Sequence, residues 1–312
     1  MQQTVLVLGA TGRFGRAAAE AFWNAGWRVR VFDRATDQLP DAAIGADVIV
    51  NGWNPPYHRW AEQLPELTDI LIAAARGSGA TVIQAANVYV YGAGAPETLG
   101  PETPHAARNP LGRQRIRMED MLRASGVPVI FLRAGDFIDT EASGNWFDRV
   151  LLANIAQGRL DYPGDPDIVH AWAWLPDLGR AAVALAERRH TLARVEEVTF
   201  PGYSLTAREL TGLVAKALGR PVRLARFAWW PVQIARPFWR LAPGLLEMRY
   251  LWTMPHRLDG ARLGETAPDF TPTPADEAIA AALAGYAAPK GIGAMGGQPS
   301  RFSRNRLQDR SA

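Results

Sequence analysis

The 312-residue chain contains no cysteine, which excludes disulfides, thiolate metal sites and cysteine nucleophiles together. Lysine is nearly as scarce. Only Lys216 and Lys290 are present, every other cationic side chain is arginine, and no lysine precedes position 216. Chemistry that needs a lysine earlier in the chain is ruled out. No uncharged apolar run approaches the ~18 residues that span a bilayer, and the first apolar stretch is too short for a signal peptide, so a cytoplasmic protein without a membrane span is expected. The body also lacks a strong charge of either sign. Residues 287–312 carry Lys290, Arg301, Arg304, Arg306 and Arg310 against Asp309, a net of +4, which leaves about −1 for the rest of a chain whose total is +3. No specific nucleic-acid partner is expected from that balance. The tail is rich in glycine, serine, proline and arginine and is expected to be disordered.

What the sequence does have is a glycine triplet at its start. Val5 to Leu8 is an apolar strand, Gly9-Ala10-Thr11-Gly12-Arg13-Phe14-Gly15 follows it, and Gly15 to Trp23 reads as a helix. Gly9 lets the chain reverse, Gly12 lets main-chain N–H groups approach a pyrophosphate, and Gly15 lets helix and strand pack closely. The helix N-terminus adds partial positive charge. A second strand, Arg28 to Phe32, ends at Asp33, about where an acidic residue meets the adenosine ribose. The combined pattern predicts a dinucleotide site made by Gly9, Thr11, Gly12, Arg13, Phe14, Gly15, Asp33, Arg34, Asn51 and Asn87.

Further strands, at 46–50, 81–85 and 127–132, alternate with helices at 60–76 and 110–124, which specifies an α/β fold with a doubly wound parallel Rossmann sheet. A smaller C-terminal substrate domain is expected after it. Its first helix is announced by a capping box, Thr206 to Glu209, and runs to about Leu218. The segment 227–252 interleaves Trp229, Trp230, Trp239 and Trp252 with arginines. It resembles an interfacial membrane helix, but Pro231, Pro237 and Pro243 interrupt it, so a helical cap packed over a cleft is expected. The expected organisation is a dinucleotide-binding domain over 1–200 with a cleft-forming insertion about 136–172, a cap over 201–286, and the tail.

The chain resembles the extended short-chain dehydrogenase/reductase family, the epimerase and dehydratase group. The resemblance rests on Gly9, Gly12 and Gly15, the Val90-Tyr91-Gly92 step, the run Trp174-Leu175-Pro176-Asp177-Leu178-Gly179-Arg180-Ala181, and the segment from Leu258-Asp259 to Pro274. It implies an NAD(P) cofactor, a small-molecule substrate and a homodimer formed partly by the helix at 110–124. It also implies a serine, a tyrosine and a lysine as the proton-transfer set, the last two four residues apart on one helix. Those positions hold Asn87, Leu111 and Arg115. Leu111 cannot move a proton, and Arg115 can hold an anion or ribose hydroxyls but cannot act as a base.

Substitute groups are Tyr89 and Tyr91, at the strand end next to Asn87, and His58, whose side-chain type titrates near neutrality. The catalytic candidates are therefore Tyr89, His58, Asn87 and Arg115. The five histidines form no metal-binding spacing, so no metal is expected. Asp33 favours NAD, whereas Arg13 and Arg34 beside the same ribose leave NADP as the alternative. Two functions follow. One is an atypical oxidoreductase or epimerase that uses non-standard acid–base groups, and the other is a dinucleotide-binding sensor or scaffold whose catalytic apparatus has decayed.

Overall fold

The structure is a computed structural model described over residues 2–287. Apart from Ala287, the tail expected over 287–312 lies outside the described residues. Six short apolar runs form one parallel sheet: β1 (Thr4–Leu8), β2 (Arg28–Val31), β3 (Val48–Asn51), β4 (Thr81–Asn87), β5 (Val129–Ala134) and β6 (Val195–Thr199). Their order is β6-β5-β4-β3-β1-β2, with every neighbouring pair parallel.

Both faces of the sheet are covered, which is why β1, β3 and β5 are buried along their whole length rather than alternately. Val5, Val7 and Val48 face α1 (Arg13–Asn24) and the helix Leu175–Glu187, while Leu6, Leu8 and Ile49 face α2 (Leu39–Ala43), α3 (Trp60–Ser78) and α4 (Pro110–Ala124). The chain leaves β1 outward to β2 and then crosses back to β3. That reversal opens a crevice at the carboxyl ends of β1 and β3, the place where ligands bind in open α/β sheets.

The smaller domain has its own apolar core. It joins Phe147, Leu151 and Trp172 to Leu210, Val214, Trp252 and Ile279, so residues around 138–174 and those after 203 build it together. The strand His170–Trp174 ties the two parts by pairing with Asp136–Ile138 on one side and Tyr203–Leu205 on the other. The capping box forms as the sequence predicts. Thr206 Oγ1 accepts from the Glu209 N–H, and Glu209 Oε2 accepts from the Thr206 N–H.

The prolines of the tryptophan-rich segment start short helices. Pro231 and Pro243 sit in the first turns of Trp230–Ala235 and Ala242–Glu247, where a missing N–H costs nothing. Only part of this segment packs inward as expected: Trp229, Val232 and Trp252 are buried, whereas Trp230, Ile234, Phe238 and Trp239 are exposed. The second of these helices closes over the large sheet, because a Cβ on Gly244 would meet the Tyr57 ring at 2.7 Å and Glu247 Oε1 accepts from the Leu111 N–H at 2.6 Å. Among the described residues no helix is long and apolar enough to cross a membrane.

Candidate functional site

The glycine loop is shaped by mutual contact of backbones. Gly9 has φ +72°, and a Cβ on Gly15 would stand 2.2 Å from Gly9 O. Gly52, just after β3, completes the contact, since its Cβ would lie 2.8 Å from Leu8 O and 3.2 Å from Gly15 Cα. Gly52 was not among the residues assigned from the sequence; its signal is its place directly after the strand that borders β1. Gly12 caps α1 with extended backbone and no side-chain cap, and the first turn has no acidic residue, so the helix N-terminus keeps free N–H groups for an anion. Phe14 is buried in the core and Thr11 is exposed in the loop.

Asp33 stands half-buried at the end of β2, where its Oδ1 accepts from the Ala35 N–H at 3.1 Å. Arg34 is exposed beside it. Arg13 turns away from that strand end and donates to the main-chain oxygens of Ser143, at 3.1 Å, and Gly144. Asn51 is buried and acts on the protein itself, donating to Gln84 Oε1 at 2.7 Å and accepting from the Trp53 N–H at 3.2 Å. Asn87 Oδ1 accepts from the Tyr89 N–H at 3.1 Å, which starts the turn that carries Tyr89.

That turn brings Tyr89 to Tyr57, and the two hydroxyls are 2.7 Å apart. One phenol donates to the other, and the accepting phenol keeps its own proton to give elsewhere. Burial raises both phenol pKa values, Tyr89 well above the ordinary tyrosine value, so both are neutral at physiological pH. Arg115 lies in the same cluster, its guanidinium 4.0 Å over the Trp60 ring and donating to Asn54 Oδ1 at 2.6 Å. Burial lowers its pKa to about 10, which leaves it charged at neutral pH. The structure does not bring His58 into this cluster. Its side chain is exposed, and it lines an outer groove of ≈ 230 Å³ with Leu111, Arg240 and Glu247. Tyr91 also points elsewhere, its hydroxyl donating to Gly100 O at 3.3 Å.

Asp136 is a member of the cluster that the sequence reading missed, because nothing local to it signals a site. Its charge raises the pKa of Tyr57 and Tyr89, its Oδ2 lies 2.8 Å from His170 Nε2, and its side chain keeps 26% exposure. His170 is buried, stacked on Trp252 at 4.4 Å, with the His256 ring edge-on at 4.5 Å.

A second polar cluster joins β5, β6 and α4. His105, Glu119 and Glu197 place ligand atoms within 4.8 Å of one another, as a cation site would. The cation already there is Arg133, wholly buried, which donates to Glu119 Oε2 at 2.7 Å, Glu197 Oε1 at 2.7 Å and Asn87 O at 2.5 Å. Burial opposes charge on Glu197, yet the hydrogen bond with His105 and the pairing with Arg133 and Arg123 prevail and hold its pKa at about 2. This network fixes the backbone of Asn87 and with it the position of Tyr89.

Solved structures share this architecture. MoeE5 in complex with UDP-glucose and NAD superposes with a TM-score of 0.71 at 18% identity, covering 90% of this chain and 97% of that one. UDP-glucose 4-epimerase from Bifidobacterium longum in complex with NAD+ and UDP gives 0.68 at 17% identity over 90% and 97%. TunA, an NAD-dependent NDP-hexosamine 5,6-dehydratase of tunicamycin biosynthesis, gives 0.69 at 17% over 91% and 98%. No protein-family model and no curated protein matches the sequence. The fold is therefore the doubly wound Rossmann sheet with a smaller C-terminal domain found in these epimerases and dehydratases, as the sequence predicts.

Proposed function

We propose that the chain is an NAD-dependent oxidoreductase or epimerase acting on a small hydroxylated or carbonyl substrate, with Tyr89 as its proton donor. The observation that carries this reading is the half-buried Tyr57–Tyr89 hydroxyl pair at 2.7 Å, placed beside Arg115 at the carboxyl ends of β3 and β4. The likeness of the fold to UDP-glucose 4-epimerases and MoeE5 solved with NAD supports it.

The glycine loop fits a dinucleotide. Gly9, Gly15 and Gly52 leave no room for a Cβ, and the uncapped N-terminus of α1 suits a pyrophosphate. Asp33 would hold the adenosine ribose. NAD is preferred to NADP because Arg13 is committed to Ser143 and Gly144, which leaves Arg34 alone against the repulsion between Asp33 and a 2′-phosphate. When bound, NAD supplies the hydride acceptor and donor that the reaction needs.

The chain's own residues supply the proton and the orientation. The neutral Tyr57–Tyr89 phenols give a proton to a substrate carbonyl oxygen as it is reduced, and where a hydroxyl is oxidised its proton passes to the Asp136 carboxylate. Arg115, fixed by Trp60 and Asn54, stabilises negative charge that develops on that oxygen. Asp136, held on one oxygen by His170, offers the other to a substrate hydroxyl. Asn87 and Arg115 thus take positioning and electrostatic roles, and Leu111 takes none.

Calorimetry with NAD and NADP, followed by turnover assays with UDP-glucose and UDP-galactose, tests the reading. NAD is expected to bind at least about tenfold more tightly than NADP, the contrast a ribose-binding acidic residue produces. Tyr89→Phe should leave NAD affinity intact and lower turnover by about 10²–10⁴-fold. Tighter NADP binding, or full activity of Tyr89→Phe, overturns it. The loss of serine, tyrosine and lysine at Asn87, Leu111 and Arg115 supports a second reading, a dinucleotide-binding sensor. Full NAD affinity with no turnover of a broad metabolite panel would favour it.

A further inference from the structure

We propose that the segment 230–240 is a peripheral attachment site for an anionic phospholipid surface. Its first helix, Trp230–Ala235, is split between two environments. Trp229 and Val232 face the core, with Trp229 Nε1 donating to Pro163 O at 2.7 Å, so folding uses that side only. The other side presents Trp230, 64% exposed, and Ile234, 66% exposed, one helical turn apart. Phe238, 91% exposed, and Trp239, 43% exposed, extend the same short stretch. These are four of the six large apolar side chains exposed among the described residues, gathered within ten positions. An apolar patch of this kind marks an interaction surface rather than ordinary surface composition.

The charge around the patch selects the partner. From residue 210 to 246 the chain has no aspartate or glutamate; of its cations Lys216 pairs with Asp276 and Arg220 donates to the Ile155 oxygen, while Arg236 and Arg240 belong to the patch segment itself. Arg236 and Arg240 are exposed within and beside the patch, and neither makes an ion pair among the described residues. Projecting Trp and Phe side chains set among unpaired arginines match the two layers of a membrane interface, the acyl boundary and the anionic headgroups. Tryptophan suits that boundary because one part of the ring is apolar and its N–H is polar. The same pattern is poorly suited to an acidic protein groove, which offers no layer to receive Phe238. It needs no spanning helix, in keeping with the absence of one among the described residues.

The lack of cysteine makes a direct test available. Phe238→Cys in the full chain is labelled with an environment-sensitive fluorophore, and Ile44→Cys serves as control. Ile44 is 67% exposed, lies outside the tryptophan-rich segment, and its main-chain oxygen accepts from Arg30 of the edge strand β2. Vesicles of phosphatidylcholine containing about one-third phosphatidylglycerol should shift the fluorophore to the blue at 238 and not at 44, and phosphatidylcholine alone should shift neither. Because the probe reports position, binding driven only by arginines after residue 287 would leave 238 unshifted and overturn the proposal. In co-sedimentation, Phe238→Ser with Ile234→Ser should bind anionic vesicles at least about tenfold more weakly than the unaltered chain. Unchanged binding by that variant, or no vesicle binding by the unaltered chain, also overturns it. So does a lipid-free dimer that requires Phe238 in a chain that ignores vesicles, since the patch would then be a protein interface.

Discussion

At the residue scale, the informative groups are ionisable side chains that the fold has taken out of water. Tyr89 could be named as a candidate from the sequence because it stands two residues after Asn87, the position to which the resemblance assigns a serine. Its partner Tyr57 and the carboxylate of Asp136 could not be assigned, since they reach the cluster from other strands and their neighbours in sequence say nothing about it. His58 shows the converse. Its side-chain chemistry suits proton transfer, but it follows Tyr57 directly, and when the phenol turns inward the imidazole is left outside. His256 yields a prediction at this scale. Burial and the neighbouring His170 hold its pKa at about 4, with its Nδ1 2.9 Å from Met254 O. The folded chain therefore prefers the neutral ring, and the stability this contributes is complete above the unfolded value near 6.5 and lost as pH falls toward 4. Denaturant titrations should show a decline of at most about 3 kcal/mol across that window. In His256→Gln the slope between pH 6.5 and 4.5 should flatten, whatever the substitution does to stability at pH 7. Glu197, lowered from about 4.5 to about 2, adds its own loss of stability only below about pH 4.5, so the slope is read above that value.

At the element scale, the sequence speaks clearly where a rule is local. The capping box at Thr206 and Glu209 forms as read, and α4 begins at Pro110 as its proline requires. The glycine loop was legible for the same reason, because the strand, the turn and the helix are consecutive. Gly52 was not, since its need for hydrogen in place of a side chain comes from Leu8 and Gly15, distant in the chain. Gly15→Ala places a methyl 2.2 Å from Gly9 O and should push α1 away from β1. Thermal or chemical denaturation should report a loss of about 2–3 kcal/mol. Gly77→Ala, in α3 with nothing within 4 Å, should change stability by about 0.5–1 kcal/mol in the stabilising direction. Calorimetry on the same pair should find NAD affinity reduced only in the first.

At the scale of the whole molecule, the two domains are joined at the mouth of the proposed cofactor site. Arg16, in the first turns of α1, pairs with both oxygens of Asp139 at 2.6 and 2.8 Å, and Arg13 holds the oxygens of Ser143 and Gly144. The loop that leads from the large sheet into the smaller domain is thus fastened to the glycine-loop helix. Arg16→Ala leaves the buried Asp139 carboxylate without its partner and should cost about 3 kcal/mol. Hydrogen exchange should rise over 139–148 in that variant, and the NAD affinity should fall with it; unchanged exchange there would show that the loop is held by other contacts.

The sequence by itself determined the order of elements, the parallel sheet, the glycine loop and the absence of any lysine before position 216, because each depends on residues adjacent in the chain or on a composition that no fold can alter. Only the tertiary structure decided that Tyr57, Asp136 and Arg115 surround Tyr89, that Arg133 occupies the place a metal would take, and that Phe238 projects while Trp229 is buried. Those outcomes depend on which distant strands are neighbours and on which side of a short helix meets the core. Neither is encoded in any single segment, since both follow from the packing of all of them at once.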